Sequence, residues 1–514
     1  MRKVDIIGYL IGYDLGSSSV KASLVDSSTG RLVVSASSPS GTEMEILAPK
    51  PGWAEQNPSD WWIHAKNATA MLADKAGIDL RKVDAIGISY QMHGLVLVDD
   101  KGEVLRPSII WCDSRAVEIG EKARNAIGSE RCLSCMLNYP GNFTASKLAW
   151  VKENEPSVYR KIHRFMLPGD YLAMMLTGDA TTTISGLSEG ILWDLQNERI
   201  AEDVLSSLDI DPGLIADIVP TFGVQGEVNH IAADELGLRE GTPVSYRAGD
   251  QPNNALSLNV LNPAEIAATA GTSGVVYGVS GKPVSDPASR INTFVHVNHS
   301  PSSPRYGVLL CVNGTGILNS WLRNKIVSDG NARISYDEMN RMASEIAPGS
   351  DGLVFIPYGN GAERTLNNRD IGASFHGLNF NLHDRRHIFR SAQEGIVFAL
   401  NYGVEIMREM GLAIGSVRAG YANMFLSPVF QQAFANTVGA TLQLYDTDGC
   451  QGAARGAGIG AGIFKDEKDA FKGLELINTI EPEENLASQY QAAWKKWLDT
   501  LNSHPIMASK GEPR

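Results

Sequence analysis

Basic residues are in short supply in this 514-residue chain: 45 Lys and Arg stand against 58 Asp and Glu, a formal net charge of −13. Binding along a nucleic-acid backbone needs clustered cations, so the balance argues against a nucleic-acid partner, and any phosphate must be held locally. Cysteine is scarce and odd in number. Cys112, Cys132, Cys135, Cys311 and Cys450 are scattered, as in a reduced, cytoplasmic protein. Cys132 and Cys135 form one C-x-x-C pair with no second pair to complete a zinc site. No run of about 18 apolar residues occurs, which argues against a membrane span. The opening "MRKVDIIGYLIGYDLG" is bracketed by Asp5 and Asp14 and lacks a small-residue cleavage site, so a strand is expected there rather than a signal peptide. The phosphate-transfer signatures G-x-x-x-x-G-K-[ST], H-R-D and D-F-G are missing as well.

What is present reads as a folded α/β protein. With 43% hydrophobic and 20% charged residues, the chain is globular and long enough for two or three domains. Apolar and alternating patterns predict strands over 9–14, 20–26 and 31–37, followed by the helical stretch "SDWWIHAKNATAMLADKAG" and the apolar strand "DAIGISY". Near Ala248 the pattern restarts: "AEIAATAGTSGVVYGVS" places a small-polar turn, Gly271 to Gly274, between two apolar strands. The opening "IGYDLGSSSVKASLVD" has the same layout around Gly16, Ser17, Ser18 and Ser19. Two halves that begin alike suggest related domains whose turns face each other across a cleft. Further on, "DGLVFIPYGNGAER" reads as a strand entering a Gly-rich loop, and "HIFRSAQEGIVFALNYGVEIMREMG" as a long helix with Ile396, Ala399, Leu400 and Val404 on one face. "SVRAGYANMFLSPVFQQAFANTVG" reads as strand, glycine turn and helix. "NLASQYQAAWKKWLDTLN" reads as a terminal helix before a loose tail.

Several candidates for chemistry stand beside plainer readings. In the first turn, successive amides form a concavity for anions and Asp14 sits where it would face a metal-bound phosphate, although a Gly/Ser hairpin with a solvated Asp is the simpler account. Asp250, in "SYRAGDQPNNA", ends an apolar strand and suits a general base; it equally suits a helix N-cap. Gln91, Met92 and His93 fall at the end of another strand, a soft apolar and hydrogen-bonding combination that suits a polyhydroxy ligand, whereas a lone strand-end His is more often structural. Trp111, near an Asp and an Arg in "SIIWCDSR", suits the C–H face of a sugar, or simply a core. Gly456, Gly458 and Ala461 fit a dinucleotide-binding spacing, but close helix packing explains such a small-residue run more simply. His383 and His387 have helical spacing without a third metal ligand, so a solvated helix face is expected.

In their order along the chain, "DLGSSSVK", "YQMHG", "IIWCDSR", "FTASKLAWVKEN", "GDQPNNA", "AGTSG", "FIPYGNGAER" and "SFHGLNFNLHDRRHIFRSAQEGI" resemble the FGGY carbohydrate kinases over nearly the whole chain. The Q-M-H-G element is most similar to the xylulose-phosphorylating branch. The resemblance implies an α/β fold of two actin-like, ribonuclease-H-like ATPase domains around a central cleft. It divides the chain into a sugar-binding N-terminal domain over 1–255, a nucleotide-binding domain over 256–485, and a C-terminal helix and tail over 486–514. The implied reaction is ATP- and Mg²⁺-dependent phosphorylation of a ketopentose, most simply D-xylulose to D-xylulose 5-phosphate. Kinases for another ketopentose or a polyol, and a non-catalytic sugar or nucleotide sensor, are the alternatives; a homodimer is a compatible assembly. In this reading Asp250 is the catalytic base and Asp14 holds Mg²⁺ through water. Gln91, Met92, His93, Trp111 and Gln251 surround the sugar. Gly16, Ser17, Ser18, Ser19, Gly271, Thr272, Ser273, Asn313, Gly314, Gly420, Tyr421, Ala422 and Asn423 line the ATP site. Two positions depart from the family: Gln251 replaces the Asn of the xylulose branch, and "RAGYANMF" replaces a Gly-Gly-Gly-Ala run, so that Tyr421 must either turn outward or lie against adenine, with Asn423 able to hydrogen-bond the adenine edge.

Overall fold

The computed structural model describes residues 8–327 and 334–508. Strands β1 (Tyr9–Leu15), β2 (Val20–Asp26) and β3 (Leu32–Ser38) form an antiparallel meander, and β4 (Val83–Tyr90) joins β1 in parallel. With β5 (Phe222–Glu227) and β6 (Pro243–Gly249), the sheet runs β5-β6-β4-β1-β2-β3; β6 is parallel to β4 and β5 is an antiparallel edge. The second sheet repeats this plan. Its meander comprises β7 (Ile266–Ala270), β8 (Gly274–Ser280) and β10 (Tyr306–Val312), with β9 (Asn292–Val295) added at the edge. β11 (Val417–Gly420) and β12 (Leu442–Asp446) then extend β7 in parallel, and β13 (Glu475–Ile480) closes the far edge antiparallel. The order β9-β10-β8-β7-β11-β12-β13 is the first sheet's plan with one strand more. The duplication read from the two turns is thus a duplication of whole sheets.

Helices cover both sheets, which is why the central strands are apolar on both faces. Leu10, Ile11, Tyr13 and Leu15 of β1 are all buried. The helix Pro58–Ala76 packs on this sheet and its Thr69 meets the Tyr13 hydroxyl at 2.6 Å. Proline opens this helix and Gly77, at φ 62°, ends it in the left-handed conformation that favours glycine. On the other face the chain returns from the second sheet as the helix Gly449–Gly460 and lies directly on β1 and β4. A side chain at Gly12 would place Cβ 1.9 Å from the Cys450 carbonyl oxygen, and one at Gly87 2.0 Å from that of Ala453. The helix itself is small where it meets large neighbours, Gly456 against Tyr246 and Gly458 against Phe464. Close packing, not a dinucleotide, accounts for its glycines.

In the second half, the helix Arg385–Glu409 carries Ile396, Ala399, Leu400 and Val404 into the core as expected. Its middle turns are also buried on their polar side, where Arg390 pairs with Glu394 at 2.7 Å and with the Tyr490 hydroxyl at 2.7 Å. His383 and His387 do not form a solvated helix face. His383 precedes the helix, whereas His387 is buried between Asp384 (3.0 Å) and Asp351 (3.1 Å), where it serves the N-cap. The expected C-terminal helix is Glu484–Ser503, followed by the short helix Pro505–Ala508, and residues 1–7 and those beyond 508 lie outside the described residues. Among the described residues no helix is long and apolar enough to cross a membrane, and no three His, Cys, Asp or Glu side chains are grouped to hold a metal.

Candidate active site

A cleft of about 600 Å³ opens between the two sheets. The β1–β2 turn lines it with Gly16, Ser17, Ser18 and Ser19, and the β7–β8 turn with Thr272 and Ser273. Several carbonyls of each turn are engaged. Ser19 O accepts from the Gly16 amide at 3.1 Å, Ser17 O from Gln56 Nε2 at 2.7 Å, and Ser18 O from the Met44 amide at 2.8 Å. Gly271 O accepts from Thr315 Oγ1 at 3.0 Å and from the Gly316 amide at 2.8 Å. With these carbonyls occupied, N–H and hydroxyl groups of Ser17, Ser18, Ser19, Thr272 and Ser273 supply the chemistry an anion requires.

Asp250 is the first residue of the helix Asp250–Ser257, immediately after β6. The N-cap is Gly249, and no side chain caps the helix, so the capping account of Asp250 is not realised. Its carboxylate accepts from Gln251 Nε2 at 3.0 Å and lines the cleft. Burial, and then the negative charge of Asp14, push its pKa up to about 7. Asp14, near the end of β1, accepts from Ser89 Oγ at 2.9 Å on one oxygen, which leaves the other without a protein donor among the described residues. That second oxygen would lie 3.0 Å from a Cβ at Gly449, at the start of the helix Gly449–Gly460, where Asp448 is the N-cap. Lys21 pairs with Asp14 across the hairpin and also lines the cleft. One or two carboxylates beside an anion-suited turn fit Mg²⁺, which takes most of its remaining ligands from phosphates and water.

Gln91, Met92 and His93 line the same cleft just beyond β4. Gln91 is buried and donates to Gln56 Oε1 at 3.0 Å. His93 adopts φ 61°, a left-handed conformation that costs a non-glycine residue about 1–2 kcal/mol. Lys147 holds it there: its buried ammonium donates to the carbonyls of His93 (2.8 Å) and Ile110 (3.0 Å), tying the histidine loop to the segment that carries Trp111. Burial, reinforced by Lys147, pushes His93 down to about 3, so the ring is neutral. Because Nδ1 faces the Glu189 carbonyl at 3.0 Å, it must be the donor, and Nε2 is left as an acceptor. Trp111 is 47% exposed and lines the cleft. The acid and base near it in sequence serve the scaffold. Arg115 pairs with Asp113 and Glu55 at 2.7 Å each and lies 3.8 Å from the centre of the Trp53 ring.

A second cavity, about 460 Å³, lies next to the β7–β8 turn and shares Thr272 with the cleft. Gly271, Asn423, Met424, Leu426, Tyr336 and Asn340 line it. The Tyr421 side chain lines neither cavity, contrary to expectation. Its amide donates to the Tyr445 carbonyl at 2.8 Å, continuing the β11–β12 ladder, and its side chain is 45% exposed. Gly420 and Ala422 also stand outside. Gly314 is packed against Pro357 instead, where a Cβ would come within 2.0 Å of its carbonyl oxygen. Asn313 does line the cleft, and Glu363 accepts from its amide at 2.8 Å. Sequence reasoning passed over Lys147, Glu363 and Arg364, although "FTASKLAWVKEN" and "FIPYGNGAER" contain them.

Models of the FGGY family of carbohydrate kinases match this chain, the N-terminal domain over residues 9–257 and the C-terminal domain over 266–463. The chain belongs to this family. It is therefore an ATP-dependent sugar kinase, and its two sheets are the actin-like halves of that fold. The xylulose kinase of Bacillus subtilis (strain 168) is 28% identical over 462 residues, covering 89% of each chain. The crystal structure of xylulose kinase from Rhodospirillum rubrum superposes on this FGGY kinase with a TM-score of 0.83 at 28% identity, covering 98% of this chain and 100% of that one. A gluconate kinase from Lactobacillus acidophilus superposes at TM-score 0.87 with 22% identity over 98% of this chain and 99% of that one, a likeness of fold alone.

Proposed function

We propose that this kinase transfers the γ-phosphoryl group of ATP to the terminal hydroxyl of a ketopentose, D-xylulose. The observation that carries the reading is one cleft in which Asp250 shares walls with Met92, His93 and Trp111 and with both small-polar turns. The curated relatives named as xylulose kinases favour this sugar over other ketopentoses.

The hydroxyl proton passes to Asp250 as the sugar oxygen bonds to the γ-phosphorus, the bond from that phosphorus to the β-bridging oxygen breaks, and ADP leaves. A carboxylate whose pKa lies near 7 is matched to that transfer at neutral pH. Amides of the Gly16–Ser19 and Gly271–Ser273 turns hold the phosphates, and Asn423, Tyr336 and Asn340 hold the adenine end in the adjoining cavity. His93 Nε2 accepts from a sugar hydroxyl, and Met92 and Trp111 pack on its C–H surface. Asp14 would hold Mg²⁺, which when bound neutralises charge on the phosphates. Most of the rate then comes from positioning and electrostatics, since phosphoryl transfer needs little covalent help from the protein. The N-terminal half, 1–255, carries the sugar end in this reading, and 256–485 the nucleotide end.

Coupled ADP release over a panel of ketopentoses, ketohexoses and polyols tests the assignment. D-Xylulose should give the highest kcat/KM. A higher value for a ketohexose or a polyol would reassign the sugar, and ADP release without any dependence on sugar would reject a kinase.

A further inference from the structure

Arg364 is a cation that the reaction above does not use. It opens the 3-10 helix Arg364–Leu366 after the strand Val354–Tyr358, lines the cleft together with His93 and Asn292, and is partly buried. Burial has stripped part of its water and holds its pKa below the ordinary arginine value. Even so, among the described residues it makes no ion pair and no side-chain hydrogen bond. Its guanidinium carbon stands 5.6 Å from the centre of the Phe143 ring, and that ring meets His93 edge-on at 4.7 Å. Arg364, Phe143 and His93 thus form one wall. None of the carboxylates that line the cleft forms an ion pair with Arg364: Asp14 accepts from Ser89, Asp250 from Gln251 and Glu363 Oε1 from the Asn313 amide.

A guanidinium has five N–H donors in a planar fork and no acceptor, so the partner it lacks is an acceptor. An sp² oxygen, with two lone pairs in one plane and no proton of its own to place, satisfies such a fork better than a hydroxyl does. We propose that Arg364 is a specificity residue that reads an sp² oxygen of the substrate on the His93–Phe143 wall. That oxygen is the carbonyl of an open-chain ketose or the carboxylate of a sugar acid. The inference rests on the kinase reading and deepens it: a polyol of the same length fits the cleft but leaves Arg364 poorly paired.

Three five-carbon compounds separate the possibilities: D-xylulose with a carbonyl, D-xylonate with a carboxylate, and xylitol with neither. The wild-type enzyme should favour one of the first two over xylitol by about tenfold or more in kcat/KM, as expected when a polar group of the site would otherwise lose its partner. Preference for D-xylulose identifies the carbonyl and preference for D-xylonate the carboxylate. Arg364→Gln should reduce that preference at least about tenfold, and Arg364→Lys, which keeps the charge but not the fork, by an intermediate factor. Should Arg364→Gln fail to fold, the Lys variant decides on the same ratio. Equal use of xylitol by the wild type, or an unchanged ratio in the variants, overturns the proposal. If none of the three is phosphorylated and no other sugar is either, the kinase reading itself fails.

Discussion

Asp250 and His93 show how position rather than residue type creates a reactive group. Asp250 opens a helix it does not cap, and burial beside Asp14 keeps its proton on until about pH 7. Because the base works only when deprotonated, kcat/KM for the sugar should fall as pH drops through about 7 and level off above it; a profile flat from pH 6 to 8 would dissociate Asp250 from the rate. In the proposed reaction His93 accepts from the sugar because of its tautomer, which the Glu189 carbonyl sets. His93→Ala should lower kcat/KM for D-xylulose by about 1–3 kcal/mol by leaving a hydroxyl unpaired, while sugar-independent ATP hydrolysis barely changes. An equal loss of both activities would show that His93 only supports the loop. Neither property could be read from sequence, which showed a histidine and an aspartate at strand ends and left both open to structural readings. What decides between them, the Glu189 carbonyl on one ring nitrogen and Asp14 beside the carboxylate, is brought in from far along the chain.

At the scale of elements, the strands were legible because their patterns are local. Observed β2 matches its expected span, β1 is one residue longer and β3 is shifted by one residue, the usual uncertainty of a fraying terminus. The glycines of Gly449–Gly460 were legible as packing, but not their partner, since contact with β1 and β4 spans more than 360 residues of chain. Gly87→Val should cost more than about 3 kcal/mol or prevent folding, because the new Cβ meets a backbone carbonyl that cannot turn aside; a thermal midpoint equal to wild type would contradict that contact. At the proposed nucleotide site the local motif left Tyr421 open to stacking or to turning outward; in the structure its side chain is 45% exposed and lines neither cavity. Asn423→Ala should therefore raise the KM for ATP about fivefold with kcat nearly unchanged, the pattern of lost uniform binding, whereas Tyr421→Ala should leave both alone. The reverse result would return adenine to Tyr421.

Among the described residues the molecule is two copies of one sheet plan, each contributing a small-polar turn that lines the cleft. Duplication was visible in the paired Gly/Ser/Thr turns, and the ordered motifs carried the family; the identity of the sugar was not, because it depends on walls assembled from both halves, such as Arg364 against Phe143. Placing acceptor, phosphates and base in one cleft also allows water to be excluded while the phosphoryl group moves, which limits wasteful hydrolysis of ATP. In the proposed reaction this cleft phosphorylates a sugar with Asp250 as base. The most direct test of that role is the turnover number for D-xylulose-dependent ADP release by Asp250→Asn, measured beside the wild type at saturating ATP. Loss of about 10²–10⁴-fold with ATP and sugar binding retained is the expected result; a variant that keeps more than half of the wild-type rate contradicts the account.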